Sequence, residues 1–339
     1  MSADLLSDVL RTVRLRGAVF YDVRYRGPWA AEAPAGSVVA SSVMPGADHV
    51  MEYHVLSQGH CWAAIVGEPP IRMSPGDVVM FPQGDAHVMS SAPGMRAAPI
   101  DVDWVRATAR EPKPVRLHAH DESREAGTRE QAYDEWNLVC GFIGCDVKPF
   151  NPLIAALPRM LHLPAARGGA WIAGVIRHAV AESSERRPGR EAMLERISEM
   201  IFVDAVRRHV DALPEQTPGW LAGMRDRHVG RALAAMHAAP ERSWTMEQLA
   251  SEAALSRSAL HERFVEMLAL PPMQYLAQWR MQVAAGLLRT TDATVASVAL
   301  DVGYDSEAAF ARAFKRLVGM PPAAWRRVHA TSAPLGAAA

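Results

Sequence analysis

The feature that most constrains the fold of this chain is an internal repeat near its C-terminus. Residues 256–264 return fifty positions later as residues 306–314, and the Pro-Pro pair at 271–272 returns at 321–322. Upstream of each repeated segment the offset is forty-nine, so a turn in the second copy is one residue longer. Matched apolar positions and matched Pro-Pro pairs indicate two copies of one small supersecondary unit.

Each copy has the pattern of a helix-turn-helix. In the first copy, Thr245 and Gln248 are spaced as a capping box, and Ser256 caps the next helix. In the second copy, Gly303 supplies the turn, where a positive φ is tolerated, and Asp305 or Ser306 caps the next helix.

The second helix of each copy has an apolar stripe that packs in the core. The stripe on its opposite side does not pack in the core. We predict that the opposite stripes contact bases and phosphates in a DNA major groove, with Arg312 on a guanine edge and Lys315 on a phosphate. The predicted DNA-binding residues are Arg257, Ser258, His261 and Glu262 in the first copy and Glu307, Ala308, Arg312 and Lys315 in the second.

Residues 273–289 separate the two copies and form a continuous helical pattern with no proline. A helix of this length spans roughly 25 Å. With the widths of the flanking helices added, the two copies are expected to lie about one DNA turn apart, near 34 Å.

Composition restricts the remaining classes of protein. The formal net charge is −1 over 339 residues, so any DNA contact must come from a local patch. The N-terminus lacks the apolar region of a signal peptide, and no apolar run is long enough for a membrane helix. Three cysteines do not make a disulfide framework, and we expect a cytoplasmic protein that does not bind a membrane.

The first half of the chain has a β-rich pattern. Short apolar stretches separated by Pro/Gly turns, at 37–43, 53–56, 61–66 and 77–81, predict a sandwich or barrel. Polar residues 107–135 predict a long loop, and residues 136–146 predict a further strand. Helical patterns follow, and the apolar stripe of Arg190–Ala212 is interpreted either as core or as a dimer interface.

The repeat region resembles the DNA-binding domain of the AraC/XylS family of bacterial regulators. The resemblance covers residues 229–327 and rests on the pattern Arg280-Met281, Leu287-Leu288, Val298-Ala299, Val302-Gly303-Tyr304, Phe310, Phe314-Lys315, Gly319, Pro321 and Trp325-Arg326. It implies that the helices beginning near Ser256 and Ser306 both enter the major groove. Ala308 and Ala311 depart from the commoner polar residues, which implies fewer hydrogen bonds to bases from the second helix.

The N-terminal part resembles a cupin, the sensor fold often joined to that DNA-binding domain. Residues 76–87 fit the second cupin motif, with Gly76, Pro82, Gly84 and His87 at the expected spacing. The first motif is degraded, because His49, His54 and His60 are too widely spaced and no glutamate follows at the right distance. We therefore predict neither a bound metal nor another cofactor.

Two kinds of sensor residue remain open. Tyr53, His54 and His87 are candidates for a ligand pocket, with Trp62 and Trp104 among possible pocket aromatics. The cupin-type AraC regulators include cysteine-based oxidant sensors, and that resemblance makes Cys61, Cys140 and Cys145 candidate redox residues. On a regular strand Cys140 and Cys145 would lie roughly 16 Å apart, too far for a disulfide without a bend. The alternative is that the three cysteines are small buried hydrophobes and the histidines are hydrogen-bonded core residues.

The sequence as a whole predicts an α+β protein with a cupin-like sensor region and associated helices at residues 1–214 and an all-α double helix-turn-helix domain at 222–330. The predicted function is sequence-specific transcription regulation in response to a small molecule or a redox signal, without enzymatic activity. The expected partners are an operator in double-stranded DNA, the effector, a second copy of the chain in a homodimer and, for an activator, RNA polymerase. The alternative is a metal-dependent cupin enzyme fused to a DNA-binding domain.

Overall fold

Strands dominate the first half of the chain and helices the second half, as the residue pattern predicts. The computed structural model describes residues 4–120, 134–167, 169–184, 187–214 and 217–329. The strands are β1 (Arg16–Arg26), β2 (Ala30–Ala33), β3 (His49–Gln58), β4 (Cys61–Ile65), β5 (Ile71–Met73), β6 (Val78–Phe81), β7 (His87–Ser90), β8 (Val115–His120), β9 (Glu135–Cys145) and β10 (Leu161–Leu163). The helices are α1 (Leu5–Thr12), α2 (Gly36–Val43), α3 (Val102–Thr108), α4 (Pro152–Ala156), α5 (Gly169–Ser184), α6 (Arg190–Ala212), α7 (Trp220–Arg225), α8 (Val229–Ala238), α9 (Met246–Glu252), α10 (Arg257–Leu268), α11 (Pro272–Thr290), α12 (Val295–Asp301), α13 (Glu307–Val318) and α14 (Pro322–His329).

These elements form two compact units. The sheet unit contains residues 15–145 and 157–211, which include all ten strands. The helical unit contains the segment that ends at Arg14, residues Asp146–Ala156 and the chain from Ala212 onward. The helical unit is therefore assembled from three separate stretches of sequence.

The sheet unit holds two sheets rather than one closed barrel. The first has the strand order β10-β6-β3-β9-β1-β8, and the second has the order β2-β7-β4-β5. One apolar core takes side chains from both, among them Val79 and Phe142 of the first sheet and Ala63 and Met89 of the second. The central strand β9 is buried along almost its whole length, and it confirms the strand predicted at 136–146.

Two predictions about local structure in the sheet unit are wrong. Residues 37–43 lie in helix α2 rather than in a strand, because their buried positions Gly36, Val39 and Val43 follow helical spacing. Within the predicted loop 107–135, strand β8 pairs parallel with β1. Its alternation of buried Val115 and exposed Arg116 is the pattern of a half-buried strand, which the polar flanking residues obscure. Residues 121–133 of that loop lie outside the described part of the chain.

Helix α6 divides the predicted apolar stripe between core and surface. Ile197, Ile201 and Val206 are buried, whereas Met193 and Met200 are 48% and 43% exposed. The buried face is centred on a row that also includes Ser198, so the two methionines lie at its margin. None of the described helices is long and apolar enough to cross a lipid bilayer.

Candidate functional sites

The first helix-turn-helix consists of α9, a tight turn and α10, with the caps that the sequence predicts. Thr245 and Gln248 form a reciprocal capping box at the start of α9. Ala254 in the turn has a φ of 53°. The side chain of Ser256 accepts a hydrogen bond from the Ala259 N–H at the start of α10. These caps fix where each helix begins.

Helix α10 buries one face and leaves the other open. Leu260 and Phe264 are fully buried, whereas Ser258, His261 and Glu262 are exposed. Arg257 is exposed too, and its guanidinium lies 2.5 Å from the Glu247 carboxylate of α9. Both side chains of this ion pair are exposed to solvent, which screens their attraction, so a phosphate can compete for Arg257.

The second helix-turn-helix consists of α12, a turn at Gly303 and α13. Gly303 has a φ of 79°, and Ser306 rather than Asp305 caps α13. Phe310 and Phe314 are buried, and the exposed residues of α13 include Glu307, Ala308, Arg312 and Lys315. Exposed Arg316 adds a cation beside Lys315 that the sequence analysis did not include.

Helix α11 anchors both helix-turn-helix units. It covers Pro272–Thr290 and is about 28 Å long, close to the predicted spacer. Near its start, the Tyr275 ring packs edge-on against Phe264 of α10, with ring centroids 5.8 Å apart. Toward its end, Trp325 of α14 donates a hydrogen bond to the Ala285 carbonyl and contacts Phe314 of α13. The spacer is therefore packed against both units.

All eight predicted DNA-binding residues thus lie exposed on the two helices where the sequence analysis places them. Among the described residues of the helical unit, none covers either of these two helix surfaces. The arrangement presents two short polar helix faces from one rigid helical unit.

A second candidate site is a partly open cavity in the sheet unit. Its wall is mainly apolar. The polar groups in the wall belong to Glu52 and His54 of β3, to Tyr21 and Tyr25, and to the thiol of Cys140. The lining residues include Tyr21, Val23, Tyr25, Ala33, Val39, Met89, Ile100, Trp104, Val105, Leu138, Cys140 and Phe142. A concave, mainly apolar space with few polar groups is the usual form of a small-molecule site.

The cavity-lining side chains of Glu52 and His54 meet a third buried polar side chain, that of His87. The Nε2 atoms of His54 and His87 lie 2.7 Å apart and connect the two sheets, since His54 is on β3 and His87 on β7. The Glu52 carboxylate lies 3.8 Å from each of these nitrogens. Burial raises the pKa of Glu52 to about 8 and lowers the pKa of His87 to about 4. Burial also lowers the pKa of His54, and the neighbouring His87 adds to that effect.

The predicted pocket residues separate in the structure. His54 lines the cavity and His87 contacts His54, but Tyr53 is on the opposite face of β3, where its hydroxyl pairs with Ser198 of α6 at 2.6 Å. Side chains alternate along a strand, so residues 53 and 54 cannot share a face. Trp104 lines the cavity and Trp62 does not. Glu52 is not among the predicted residues, because the cupin pattern has its glutamate downstream of the histidines. Its sequence signal is the spacing Glu52-Tyr53-His54 on one strand.

The cysteines are buried thiols. Cys61, Cys140 and Cys145 are at most 7% exposed, and none forms a disulfide. Burial raises the pKa of Cys61 to about 12 and raises that of Cys140 well above its ordinary value. A thiol of high pKa is a weak nucleophile, so this environment favours the structural interpretation over oxidant sensing.

Comparison with known proteins adds similarity over the whole length. A family model described as Cupin matches residues 4–211, and one described as Helix-turn-helix domain matches residues 249–328. An AraC-like transcription regulator of Streptomyces lividans is 31% identical over 96% of this chain and 98% of its own length. The HTH-type transcriptional regulator AlkR of Acinetobacter baylyi is 28% identical over 96% of this chain and 99% of its own. The solved DNA-binding domain of AdpA, in complex with a target DNA, is 32% identical, covers 33% of this chain and 99% of that one, and has a TM-score of 0.30.

Proposed function

Because this chain belongs to the AraC family of DNA-binding transcriptional regulators and carries a cupin-type N-terminal domain, we propose that it binds its operator through α10 and α13 together. Each helix enters a major-groove segment, and the two segments follow each other along one side of the duplex. Arg257, Ser258, His261 and Glu262 contact the first segment. Glu307, Ala308, Arg312 and Lys315 contact the second.

The observation that carries this proposal is the packing of both helix-turn-helix units on one helix. Tyr275 and Trp325 hold α10 and α13 against α11, while the outward faces of α10 and α13 stay exposed. A rigid spacer of about 28 Å, extended by the flanking helix widths, agrees with a separation of one DNA turn, about 34 Å.

The test begins with selection of a binding site from random DNA by the full-length protein. Binding curves to that site are then compared for Arg312→Ala, Lys315→Ala and wild type. Arg312→Ala should cost about 1–3 kcal/mol and relax the preference at one base pair. Lys315→Ala should weaken binding to all sequences alike. It should also reduce the slope of log affinity against log salt concentration by about one, because one fewer counterion is released.

Arg196→Ala is the matched control, because Arg196 is an exposed arginine of α6 whose ion-pair partner, Glu199, is on the same helix. It removes the same charge without touching either candidate helix and should leave the binding curve unchanged. If the Arg312 and Lys315 variants bound like wild type, this docking would be wrong.

For the sheet unit we infer a sensor role, with a small and largely apolar effector in the cavity. The apolar wall provides affinity through burial, and Glu52 and His54 select for a polar group on the ligand. The burial of all three thiols supports a bound ligand rather than cysteine oxidation as the signal.

The cavity is tested with an apolar fluorescent probe such as a naphthylamine dye. Ala33→Phe fills the cavity from β2 and should abolish the saturable fluorescence increase that we expect for wild type. Ala92→Phe, at an exposed position, is the matched control and should bind the dye normally. Equal dye binding by both variants would argue against the cavity as the ligand site.

The same proposal places the protein in the cytoplasm, with a functional division into a sensor region at 1–214 and a DNA-binding region at 222–330. The proposed function does not include catalysis, and its output is altered transcription by RNA polymerase.

The exposed Met193 and Met200 on α6 are proposed contacts in a homodimer. Light scattering of wild type and a Met193→Glu variant tests that contact.

A further inference from the structure

The cluster of Glu52, His54 and His87 has the composition of a metal site. One ligand atom from each residue lies within 4.8 Å of the other two. Two imidazoles and one carboxylate form the facial set that binds first-row transition metals with coordination positions left open.

The separations fit a single ion. Two ligand atoms bonded at about 2.1 Å to one ion lie about 3.0–3.4 Å apart, depending on coordination geometry. The observed separations are 2.7 Å between the two Nε2 atoms and 3.8 Å from the carboxylate oxygens to each nitrogen. Small side-chain rotations therefore bring all three ligand atoms to bonding distance.

The orientation of His87 also suits metal binding. Its Nδ1 atom lies 2.9 Å from the Asp85 carbonyl oxygen, which can only accept, so Nδ1 carries the proton. Nε2 is therefore unprotonated, and its lone pair is directed at the cluster. A metal-binding histidine is usually oriented in this way, with its second nitrogen donating to a carbonyl or carboxylate.

Without an ion, the proton of His54 lies on Nε2, where it donates to Nε2 of His87, and neither imidazole is hydrogen-bonded to Glu52. Glu52, whose side chain is 11% exposed, stays 3.8 Å from both rings, beyond hydrogen-bond distance. A divalent ion would accept a lone pair from each of the three groups, and Glu52 would release its proton on binding the ion.

The buried Nδ1 atom of His54 has no hydrogen-bond partner among the described residues, with or without an ion on Nε2. Its surroundings are therefore the same in the ion-free and the ion-bound cluster, whose ligand atoms are the two Nε2 atoms and a carboxylate oxygen of Glu52.

We propose that Glu52, His54 and His87 bind one divalent first-row transition-metal ion beside the cavity. The donor set, nitrogen and oxygen without thiolate, fits zinc or iron(II) rather than copper(I). Since Glu52 and His54 line the cavity, an open coordination position is available to a ligand there. A role for the ion in effector binding rests on the proposed sensor function, whereas metal binding itself does not.

The experiment uses full-length protein without an affinity tag, stripped with a chelator and titrated with Co²⁺, whose visible d–d absorption reports its ligands. Wild type should bind one Co²⁺ per chain, and added Zn²⁺ should displace it. His54→Ala and His87→Ala should abolish the absorption. Glu52→Gln, which keeps the size of the side chain, should weaken Co²⁺ binding at least tenfold.

His60→Ala is the matched control, because His60 is an exposed histidine at the end of the next turn and lies outside the cluster. It should bind Co²⁺ as wild type does. Far-UV circular dichroism identifies any variant that fails to fold, and in that case Glu52→Gln and the wild-type stoichiometry decide the question. Absence of stoichiometric binding in wild type, or binding that survives in a folded His87→Ala protein, would overturn the proposal.

Binding to the selected DNA site is measured in parallel on the same preparations. Protein that binds Co²⁺ but no DNA would contradict the operator-binding proposal and leave the metal site standing. Protein that binds DNA but no Co²⁺ would contradict the metal site and leave the operator-binding proposal standing.

Discussion

Asp146 illustrates how much one buried charge contributes to the helical unit. Its carboxylate is 2% exposed and contacts Arg14 at 2.8 Å and also Arg289 of α11, whose side chain is 3% exposed. Asp146→Asn would leave two guanidinium groups facing a neutral amide. We expect a loss of about 3–5 kcal/mol in the free energy of unfolding, measured by urea titration.

Asp8→Asn is the comparison for that variant. Asp8 pairs with Arg11 on α1 in the same unit, but Arg11 is 72% exposed, so the pair should contribute less than about 1 kcal/mol. Equal effects of the two substitutions would show that burial does not strengthen the Asp146 contacts.

His237 gives the helical unit a predictable dependence on pH. Burial lowers its pKa to about 3, against about 6.5 in an unfolded chain, and its Nε2 atom lies 2.8 Å from the Tyr275 hydroxyl. Between these pKa values only the unfolded chain binds the proton, so stability is full above pH 6.5 and falls as the pH falls. From pH 7 to pH 5 this loss should be about 2 kcal/mol.

A His237→Asn variant isolates that contribution, because the other titrating groups are common to both proteins. The variant should be less stable than wild type at pH 7, and the difference should shrink by about 2 kcal/mol at pH 5. A difference in unfolding free energy that is constant with pH would contradict the assigned protonation state.

Among the elements, the turn of the second helix-turn-helix has the strictest residue requirement. Gly303 has a φ of 79°. A Cβ atom added there would also overlap the Glu241 carbonyl oxygen and lie 2.7 Å from the Arg280 guanidinium. Gly319 has a similar positive φ of 91° with nothing within 4 Å of an added Cβ. Gly319→Ala should therefore cost about 1 kcal/mol, and Gly303→Ala more than about 2 kcal/mol.

Thermal unfolding of the two glycine variants separates backbone strain from steric overlap, since both have the strain and only Gly303→Ala has the overlap. Similar losses in melting temperature would mean that the chain around Glu241 moves easily. In that event the turn would not fix the position of α13 as tightly as proposed.

The elements that could be predicted from the sequence are those whose pattern is local. The caps Thr245 and Ser256, the turn at Gly303 and the spacer α11 all have their signals within a few residues of the element itself. The cluster of Glu52, His54 and His87 was not predicted as a unit, because His54 and His87 are 33 residues apart and meet only when β3 and β7 enter different sheets.

On the scale of the whole molecule, the units cannot be inferred from the order of the sequence. Asp146 and Arg289 are separated by 143 positions, and the Phe150 N–H donates to Gln282 across 132 positions, yet both contacts lie within the helical unit. Periodicity describes one element at a time and holds no information about such pairs. The residues around α1 and α4 therefore gave no sequence signal that they pack with α11.

The last prediction concerns the whole DNA-binding unit and its operator. If α10 and α13 are held by one rigid helix, the selected site should contain two blocks of base preference about 10 base pairs apart. Substitutions in α13 should alter one block and leave the other unchanged.

Inserting five base pairs between the blocks turns the second block to the opposite side of the duplex, where α13 cannot contact it. Affinity should then fall to that of a single block, at least tenfold weaker in a binding titration. Inserting ten base pairs restores the face but lengthens the separation by about 34 Å, which a rigid α11 cannot span, so affinity should not recover. Recovery with ten base pairs would mean that the two blocks are bound by separate, flexibly linked units or by two chains, and the single-spacer account would have to be abandoned.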